Sequence, residues 1–429
     1  MRILELHAPY FRALWRRDHE VLSWGQQAHC DIRTPLAIVR LPQVLESLPA
    51  GWEPDLILFG DDSRPLQVLG LERAPCPLVM LSIDAHHHVG WHAPLAVAFD
   101  LVFVAQRDLL PAFEAAGAAG ARWLPLWAPD DLPRPRTQKS FQIAFVGSLN
   151  PAFHANRVAL LGKLRHRLPL HAAEGAYADV FTRSRIVLNE TVKGDLNSRV
   201  FEAMACGAML LTEGTGNGLL ELFADGEELV TYSRGDAEAV VERATYYLGA
   251  EAERAAIAAH GCERVRAGHL ESHRAQSVLQ RVADHLPARR PAAARHAGLA
   301  RAYCALAERV RRYAEVAPVA RPLSDMLRRE YLAEATALAI GTSMEEPDRS
   351  AILGMVALER GDLSGAEAHL AWVVDHGGSL EDRLMHIAAL LERGSVTRAR
   401  DAAGALCAAH PGFAEGRSLS ARLSALAAL

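Results

Sequence analysis

The stretch SRVFEAMACGAMLLTEGTGNGLLELFADGEELVTYS, residues 198–233, decides the fold. It opens as a short helix, because Val200, Phe201, Met204 and Ala205 fall on one helical face while Glu202 points elsewhere. Gly207 is expected to stop that helix, and the apolar run 208–211 then reads as a buried parallel strand. Residues 212–218 form a Gly-rich turn at the carboxyl end of that strand, the place where open α/β sheets bind ligands. A helix over 219–224, an Asp-Gly turn and a strand over 228–232 complete the unit. Glu202 beside a strand, Arg199 three residues before it and glycines around both suggest a nucleotide site.

Working outward, short Val/Ile/Leu runs recur before this stretch. Strands are expected at 2–6, 36–40, 55–59, 78–83 and 101–104, with a helix running from the first of them to about His29. Their alternation with helices marks a parallel α/β sheet, so residues 1–135 are expected to form one Rossmann-like lobe. The segment WLPLWAPDDLPRPRTQKS, residues 123–140, reads as a semi-rigid linker, and FQIAFVG opens a second lobe over 140–286. Two lobes joined by a linker enclose a cleft, a favoured place for ligands.

Four local patterns in this second region carry a resemblance: FVGSLNP (145–151), SRIVLNE (184–190), NSRVFEAMACGAMLLTE (197–213) and ELFADGEELVTY (221–232). Their combination and order resemble the nucleotide-sugar-binding half of GT-B glycosyltransferases, more narrowly the CgeB-like "glycosyl transferases group 1" families. The resemblance implies two Rossmann-like lobes about a cleft, with the first lobe taking the acceptor and the second the donor. It implies that Glu202 accepts hydrogen bonds from the donor's ribose hydroxyls, a task suited to a bidentate carboxylate. Arg199, Lys193 and Asn197 lie at the start of the same helix, where cations and free N–H groups favour a diphosphate. Gly147, Ser148 and Asn150, which follow the first strand of the second lobe, and Thr212 and Gly216 in the Gly-rich turn complete the expected donor site. Many retaining enzymes of this fold carry another Glu eight residues before Glu202; here that position is Gly194, with Asp195 off by one.

The first lobe holds IDAHHHVGWH, residues 83–92. Asp84 and His86 follow a buried-looking strand and are the candidates for the base that deprotonates an acceptor hydroxyl, with His7 at the end of the first strand next in line. A metal site using His88 and His92 is a rival, against which Gly90 and Pro94 argue by interrupting the helix that would align them. No Asp-x-Asp motif occurs. No metal and no cofactor are therefore expected, the nucleotide-diphosphate sugar being a substrate.

From about residue 291 the texture changes to Ala, Arg, Leu and Glu, which predicts helices only over 291–429. LERG occurs at 358–361 and again at 391–394, an offset near the tetratricopeptide length, so a tetratricopeptide-like array is expected, with a plain helical bundle as the alternative. This tail reads as separable, unnecessary for nucleotide binding, and suited to recruiting a protein or glycan-assembly partner.

Composition bounds the partners. A net charge of −5 over 429 residues argues against nucleic acid, whose phosphates want a basic face. Mean hydropathy is +0.02, and no uninterrupted apolar run is long enough to span a membrane. The amino terminus lacks the apolar core of a signal peptide, and six scattered cysteines without a CxxC pair read as reduced thiols, so a cytoplasmic location is expected. The leading expectation is a metal-independent glycosyltransferase moving a sugar to a glycan, protein or small-molecule acceptor. A non-catalytic nucleotide-sugar-binding scaffold is the alternative from another class, and a sugar-phosphate epimerase or phosphorylase on the same fold is the third.

Overall fold

The computed structural model describes residues 1–118, 120–284, 290–341 and 344–426. In chain order the first lobe comprises β1 (Arg2–His7), α1 (Arg12–Trp15), β2 (Glu20–Gly25), β3 (Ile32–Arg33), β4 (Val39–Arg40), α2 (Leu41–Glu46), β5 (Leu56–Gly60), β6 (Val68–Leu69), β7 (Leu78–Ser82), α3 (Ala85–Ala96), β8 (Leu101–Val104), α4 (Leu110–Ala115) and β9 (Arg122–Trp123). The second comprises β10 (Phe141–Val146), α5 (Pro151–Arg165), β11 (Leu170–Ala173), α6 (Ala178–Thr182), β12 (Ser184–Asn189), α7 (Ser198–Ala205), β13 (Met209–Glu213), α8 (Leu219–Leu222), β14 (Val230–Tyr232), α9 (Ala237–Gly249), α10 (Glu251–Gly268) and α11 (Glu271–Asp284). Helices α12 (Ala292–Val316), α13 (Arg321–Gly341), α14 (Asp348–Arg360), α15 (Leu363–Asp375), α16 (Leu380–Glu392), α17 (Val396–Ala409) and α18 (Ala414–Leu426) follow.

Two large parallel sheets result, ordered β3-β2-β1-β5-β7-β8-β9 and β11-β10-β12-β13-β14, with β4 and β6 forming a separate parallel pair. The central strands are mostly apolar because both faces are covered, and successive residues feed different cores. Ile57 and Phe59 of β5 pack into one core and Leu56 and Leu58 into another. Ile186 and Leu188 of β12 likewise separate from Val187. The expected helix reaching His29 is instead a single turn, α1, followed by strand β2, whose Val21 and Trp24 are buried beside β1. In residues 198–233 the reading holds: Val200, Phe201, Met204 and Ala205 share one core, and Gly207, at φ +71°, ends α7.

The chain crosses back at its expected lobe boundary. α11 was assigned by sequence to the second lobe, yet Ala275, Val278 and Val282 pack into the first-lobe core with Phe11 and Trp15, whose indole N–H donates to Ala275 O at 3.2 Å. The expected boundary at 286 itself lies outside the described residues.

The helical region is not an appendage. One continuous core runs from the β1-β5-β7 face through α3 into α12, α13 and α14. Gly298 of α12 lets the two helices touch: a Cβ there would lie 2.6 Å from Val97 Cβ and 2.7 Å from Pro94 O. Hydrogen bonds reinforce the contact, from Gly70 N to Tyr303 Oη at 3.2 Å and from Tyr331 Oη to Leu66 O at 2.7 Å, and Arg40 pairs with Glu334 and Glu330. The tail was expected to be separable; buried as it is against the first lobe, it shares that lobe's core instead. Farther out, α14/α15 and α16/α17 are antiparallel pairs, and the repeated LERG glycines, Gly361 and Gly394, end α14 and α16 at positive φ, the conformation a helix C-cap favours.

Candidate functional site

The loops that follow the carboxyl ends of the two sheets meet, Gln106 and Asp108 after β8 accepting from Leu196 N and Asn217 N of the second lobe. On the first-lobe side the loop after β5 carries Asp61, which is buried and accepts the backbone N–H groups of Asp84 at 2.8 Å (through Oδ2) and Ser63 at 2.8 Å (through Oδ1). Ser63 in turn donates its hydroxyl to Asp84 Oδ2, and His88 Nε2 lies 3.3 Å from the same hydroxyl. These bonds fix Asp84 at the start of α3. Burial away from water raises the Asp61 carboxyl to about 6, with the charges of Asp84 and Asp62 adding to the rise.

The structure brings Asp84 and His86 into the cleft together. His86 Nε2 lies 4.0 Å from Asp195 Oδ2 of the opposite lobe. Burial holds the His86 imidazole below its ordinary value against the pull of Asp84, and nearby Lys193 lowers it further, so it is neutral at pH 7. His7, by contrast, sits inside the lobe: Gln67 N donates to its Nε2 at 3.3 Å, its Nδ1 lies 3.7 Å from Asp62, and its ring packs edge-on against Phe59. Its acceptor nitrogen is already occupied.

α3 runs unbroken from Ala85 to Ala96 through Gly90 and Pro94, contrary to the expected interruption. Eight of its residues are buried, and that packing outweighs the hydrogen bond Pro94 cannot make. His88 and His92 are thereby aligned with rings 5.2 Å apart; His88 Nε2 and His92 Nδ1 bond Ser63 and Ser82, while His88 Nδ1 and His92 Nε2 are buried without a hydrogen-bond partner. Among the described residues no three His, Cys, Asp or Glu side chains form a group able to hold a metal ion.

On the opposite side, the end of β10 is built around stacked cations. Arg199 and Arg157 lie 4.5 and 5.4 Å from the Phe145 ring centroid. Arg199 donates to Val146 O at 2.9 Å and Asn189 Oδ1 at 2.7 Å, and Nη2 lies directly beneath Gly147, where any Cβ would collide with it. Arg157 is buried and donates to Glu190 Oε2 at 2.6 Å and to Ser148 O at 3.3 Å. Both guanidiniums therefore underpin the Gly147–Ser148 turn, whose glycine is required by Arg199. Desolvation lowers Arg199 to about 10, which still leaves it charged at neutral pH.

The remaining expected donor residues divide between the cleft and its supports. Burial raises the carboxyl of Glu202, in the second turn of α7, above the usual range, against the pull of the Tyr177 phenol and Ser198 beside it. Lys193 is exposed at positive φ, and its charge reaches His86 and His87. Asn197 precedes α7, with Oδ1 buried and unpartnered. Asn150 caps α5 through Ala152 N at 2.9 Å. Thr212 is fully buried and accepts from Asn189 Nδ2 at 2.9 Å. Gly216 packs against Asp108 of the first lobe, and Asn217 N donates to Asp108 Oδ2 at 2.8 Å, so this turn ties the lobes together. Gln106 does the same by accepting Leu196 N at 2.9 Å.

Sequence reasoning missed Arg157, Tyr177, Glu190 and Asp61, and left Asp195 aside. Asp61 follows an expected strand in the run GDD, the same signal that singled out Asp84. Arg157 stands in the helical stripe of Leu160, Leu161 and Leu164, where a charge is out of place unless it is paired. Asp195, buried and raised to about 6, mainly by desolvation, faces His86. Tyr177 carries no local signal.

With this geometry established, comparison with known proteins gives a consistent picture. Residues 134–280 match the model of a family described as glycosyl transferase-like. No curated protein matches the chain. HepE of Anabaena, solved with UDP and glucose, superposes with a TM-score of 0.50 at 13% identity, covering 66% of this chain and 100% of that one. Its UDP-glucose complex gives 0.50 at 14% identity with the same coverage. A sucrose-phosphate synthase from Thermosynechococcus elongatus gives 0.49 at 12% identity, covering 66% and 98%. Residues 134–280 thus match a glycosyl transferase-like family model, in a chain whose two parallel-sheet lobes have the GT-B fold and continue into an all-helical region.

Proposed function

We propose that the protein transfers a sugar from a nucleoside-diphosphate sugar, with uridine as the first base to try, to an acceptor hydroxyl in the cleft. The observation that carries this reading is the opposition of Asp84 and His86 on one lobe to Lys193, Asp195 and the Gly147–Ser148 turn on the other. Glu202 takes the ribose hydroxyls beside Tyr177. Lys193 and the first-turn N–H groups of α7 take the diphosphate, in a field made positive by Arg199 and Arg157. Arg199, Asn150, Thr212 and Gly216 position the site rather than touch the sugar. In the reaction the acceptor oxygen bonds to the anomeric carbon, the bond from that carbon to the phosphate oxygen breaks, and the nucleoside diphosphate leaves with its electron pair. The hydroxyl proton passes to Asp84 or His86. The UDP and glucose found in HepE support uridine and a hexose as starting probes.

Calorimetry and thermal shift with UDP and UDP-glucose, then with the other nucleoside-diphosphate sugars, test the reading. A ligand at 100 times its Kd should stabilise the protein by about 2.7 kcal/mol. Asp84→Asn or His86→Ala should lower turnover about a hundredfold with donor affinity unchanged, since a general base contributes roughly 10²–10⁴-fold. Binding without sugar transfer to any acceptor or to water would make the protein a nucleotide-sugar-binding scaffold. Absence of binding by every nucleotide would overturn the proposal.

A further inference from the structure

The Gly-rich turn after β13 was expected to face a ligand, and in the structure it receives the other lobe. Two of its glycines flank Asn217, and each faces a first-lobe side chain. A Cβ on Gly216 would collide with Asp108 Oδ2, and one on Gly218 with the indole of Trp123. The missing side chains let Asn217 and Asp108 bond in both directions: Asn217 N donates to Asp108 Oδ2 at 2.8 Å, and Asp108 N donates to Asn217 Oδ1 at 3.0 Å. A second reciprocal pair lies two residues earlier, where Leu196 N donates to Gln106 Oε1 at 2.9 Å and Gln106 Nε2 donates to Leu196 O at 3.4 Å. Between them Arg107 pairs with Glu221 of α8. Three consecutive residues after β8 thus clip the second lobe.

The same turn grips the loop that carries the candidate donor groups. Asn217 Nδ2 donates to Gly194 O at 2.9 Å, and Thr215 Oγ1 donates to the same carbonyl. Gly194 stands between Lys193 and Asp195. Lys193 itself is held at φ +57°, a backbone conformation that costs a side-chain-bearing residue free energy and persists where its surroundings enforce it. The amide that closes this loop, Leu196 N, is the one taken by Gln106. Asn217 is therefore bonded on one side to the first lobe and on the other to the backbone between Lys193 and Asp195.

We infer that Asp108 and Asn217 are positioning residues: docking of the first lobe sets, through Asn217 and the Gly194 carbonyl, where Lys193 and Asp195 stand. Nucleoside-diphosphate affinity then depends on a contact between the lobes, and by linkage a diphosphate that orders residues 192–197 tightens the clip at 106–108. Only the diphosphate rests on the transfer reaction proposed above; the coupling between the two loops stands on the hydrogen bonds alone.

Hydrogen exchange of the full chain, followed by mass spectrometry, tests the coupling. Asp108→Ala removes the acceptor of Asn217 N from an exposed position in the first lobe. Asn217→Gly removes both side-chain bonds while keeping the positive φ that glycine adopts freely. Asp108→Asn keeps an acceptor oxygen. Without ligand, Asp108→Ala and Asn217→Gly should each speed exchange across 192–197 at least tenfold and leave α9 at its wild-type rates, and Asp108→Asn should keep wild-type rates throughout. A turn that merely fills space would not carry the loss of a first-lobe carboxylate to residues that carboxylate does not touch. With ligand, UDP should slow exchange across 105–109 in the wild type, and Asp108→Ala should weaken UDP at least fivefold with uridine affinity unchanged. Unchanged exchange at 192–197 in both Asp108→Ala and Asn217→Gly, or exchange raised equally in α9, would overturn the inference. So would UDP binding to the wild type that Asp108→Ala leaves within twofold. Exchange altered as expected in a protein that binds no nucleoside diphosphate would refute the transferase reading and leave the coupling established.

Discussion

Replacing Glu202 by Gln tests the donor site with the least disturbance to the fold. The side chain keeps its length and one acceptor oxygen, so the Tyr177 phenol retains a partner and the melting temperature should move by only a degree or two. What is lost is a charged acceptor for one of two vicinal ribose hydroxyls. Hydrogen bonds to charged groups contribute about 1.5–3 kcal/mol. At 1.4 kcal/mol per factor of ten, the Kd for UDP should rise about 10- to 150-fold. Calorimetry with UDP and with 2′-deoxy-UDP makes the assignment specific: wild type should discriminate between them, and the variant should not. The pH dependence supplies a second readout. Burial raises the Glu202 carboxyl, so in the free protein it takes up its proton at higher pH than an ordinary glutamate. Wild-type affinity should therefore fall as pH is lowered through that raised value, and the Gln variant should lack this contribution. A folded variant whose UDP affinity stays within twofold of wild type would remove Glu202 from the site.

Gly147→Ala should destabilise the second lobe by about 1–3 kcal/mol, the usual cost of overpacking, because the new methyl meets Arg199 Nη2; urea unfolding measures it, and Gly162→Ala, with open space around it, is the control. Gly298→Val drives a branched side chain into Val97 and Pro94 O, so α12 should lift from α3 and limited trypsin digestion should release the helical region faster; unchanged digestion would mean the two are not docked as described. Burial lowers His92 to about 3, so below pH 6.5 the unfolded chain binds a proton that the folded one refuses, and stability falls with pH. At pH 5.5 this amounts to about 1.4 kcal/mol for a fully buried histidine. Asp61 and Asp195, raised to about 6, act with the opposite sign below that pH, so the test is the slope difference between wild type and His92→Gln, and identical slopes would show that His92 titrates normally.

Where the candidate side chains sit in the fold was legible because strand ends and helix starts are local features. Glu202, Lys193 and Asp84 lie where the order strand, turn, helix places them, and that order is written in apolar periodicity and glycines. Arg157 and Tyr177 were invisible for the opposite reason. Arg157 is explained only by Glu190, 33 residues away, and Tyr177 only by Glu202 on another helix. Arg199 was expected to hold the diphosphate, and only its partners show that it lies beneath the Gly147–Ser148 turn, held by Val146 O and Asn189.

The sequence by itself determined the two parallel α/β lobes, the helical continuation and the 33-residue spacing of its LERG glycines, because each depends on the period of apolar residues within a single element. It could not determine that β2 is a strand, since Val21 and Trp24 are buried by pairing with β1 rather than by any preference of their own. Nor could it determine that α11 returns to the first lobe or that α12 shares its core. Those outcomes are set by which apolar faces remain uncovered once each sheet has formed, and by Gly298, whose missing side chain permits a contact with a helix two hundred residues earlier. Tertiary structure alone therefore decided that the helical region walls a cavity together with α3 of the first lobe, because burial rewards any two complementary surfaces regardless of their separation in the chain.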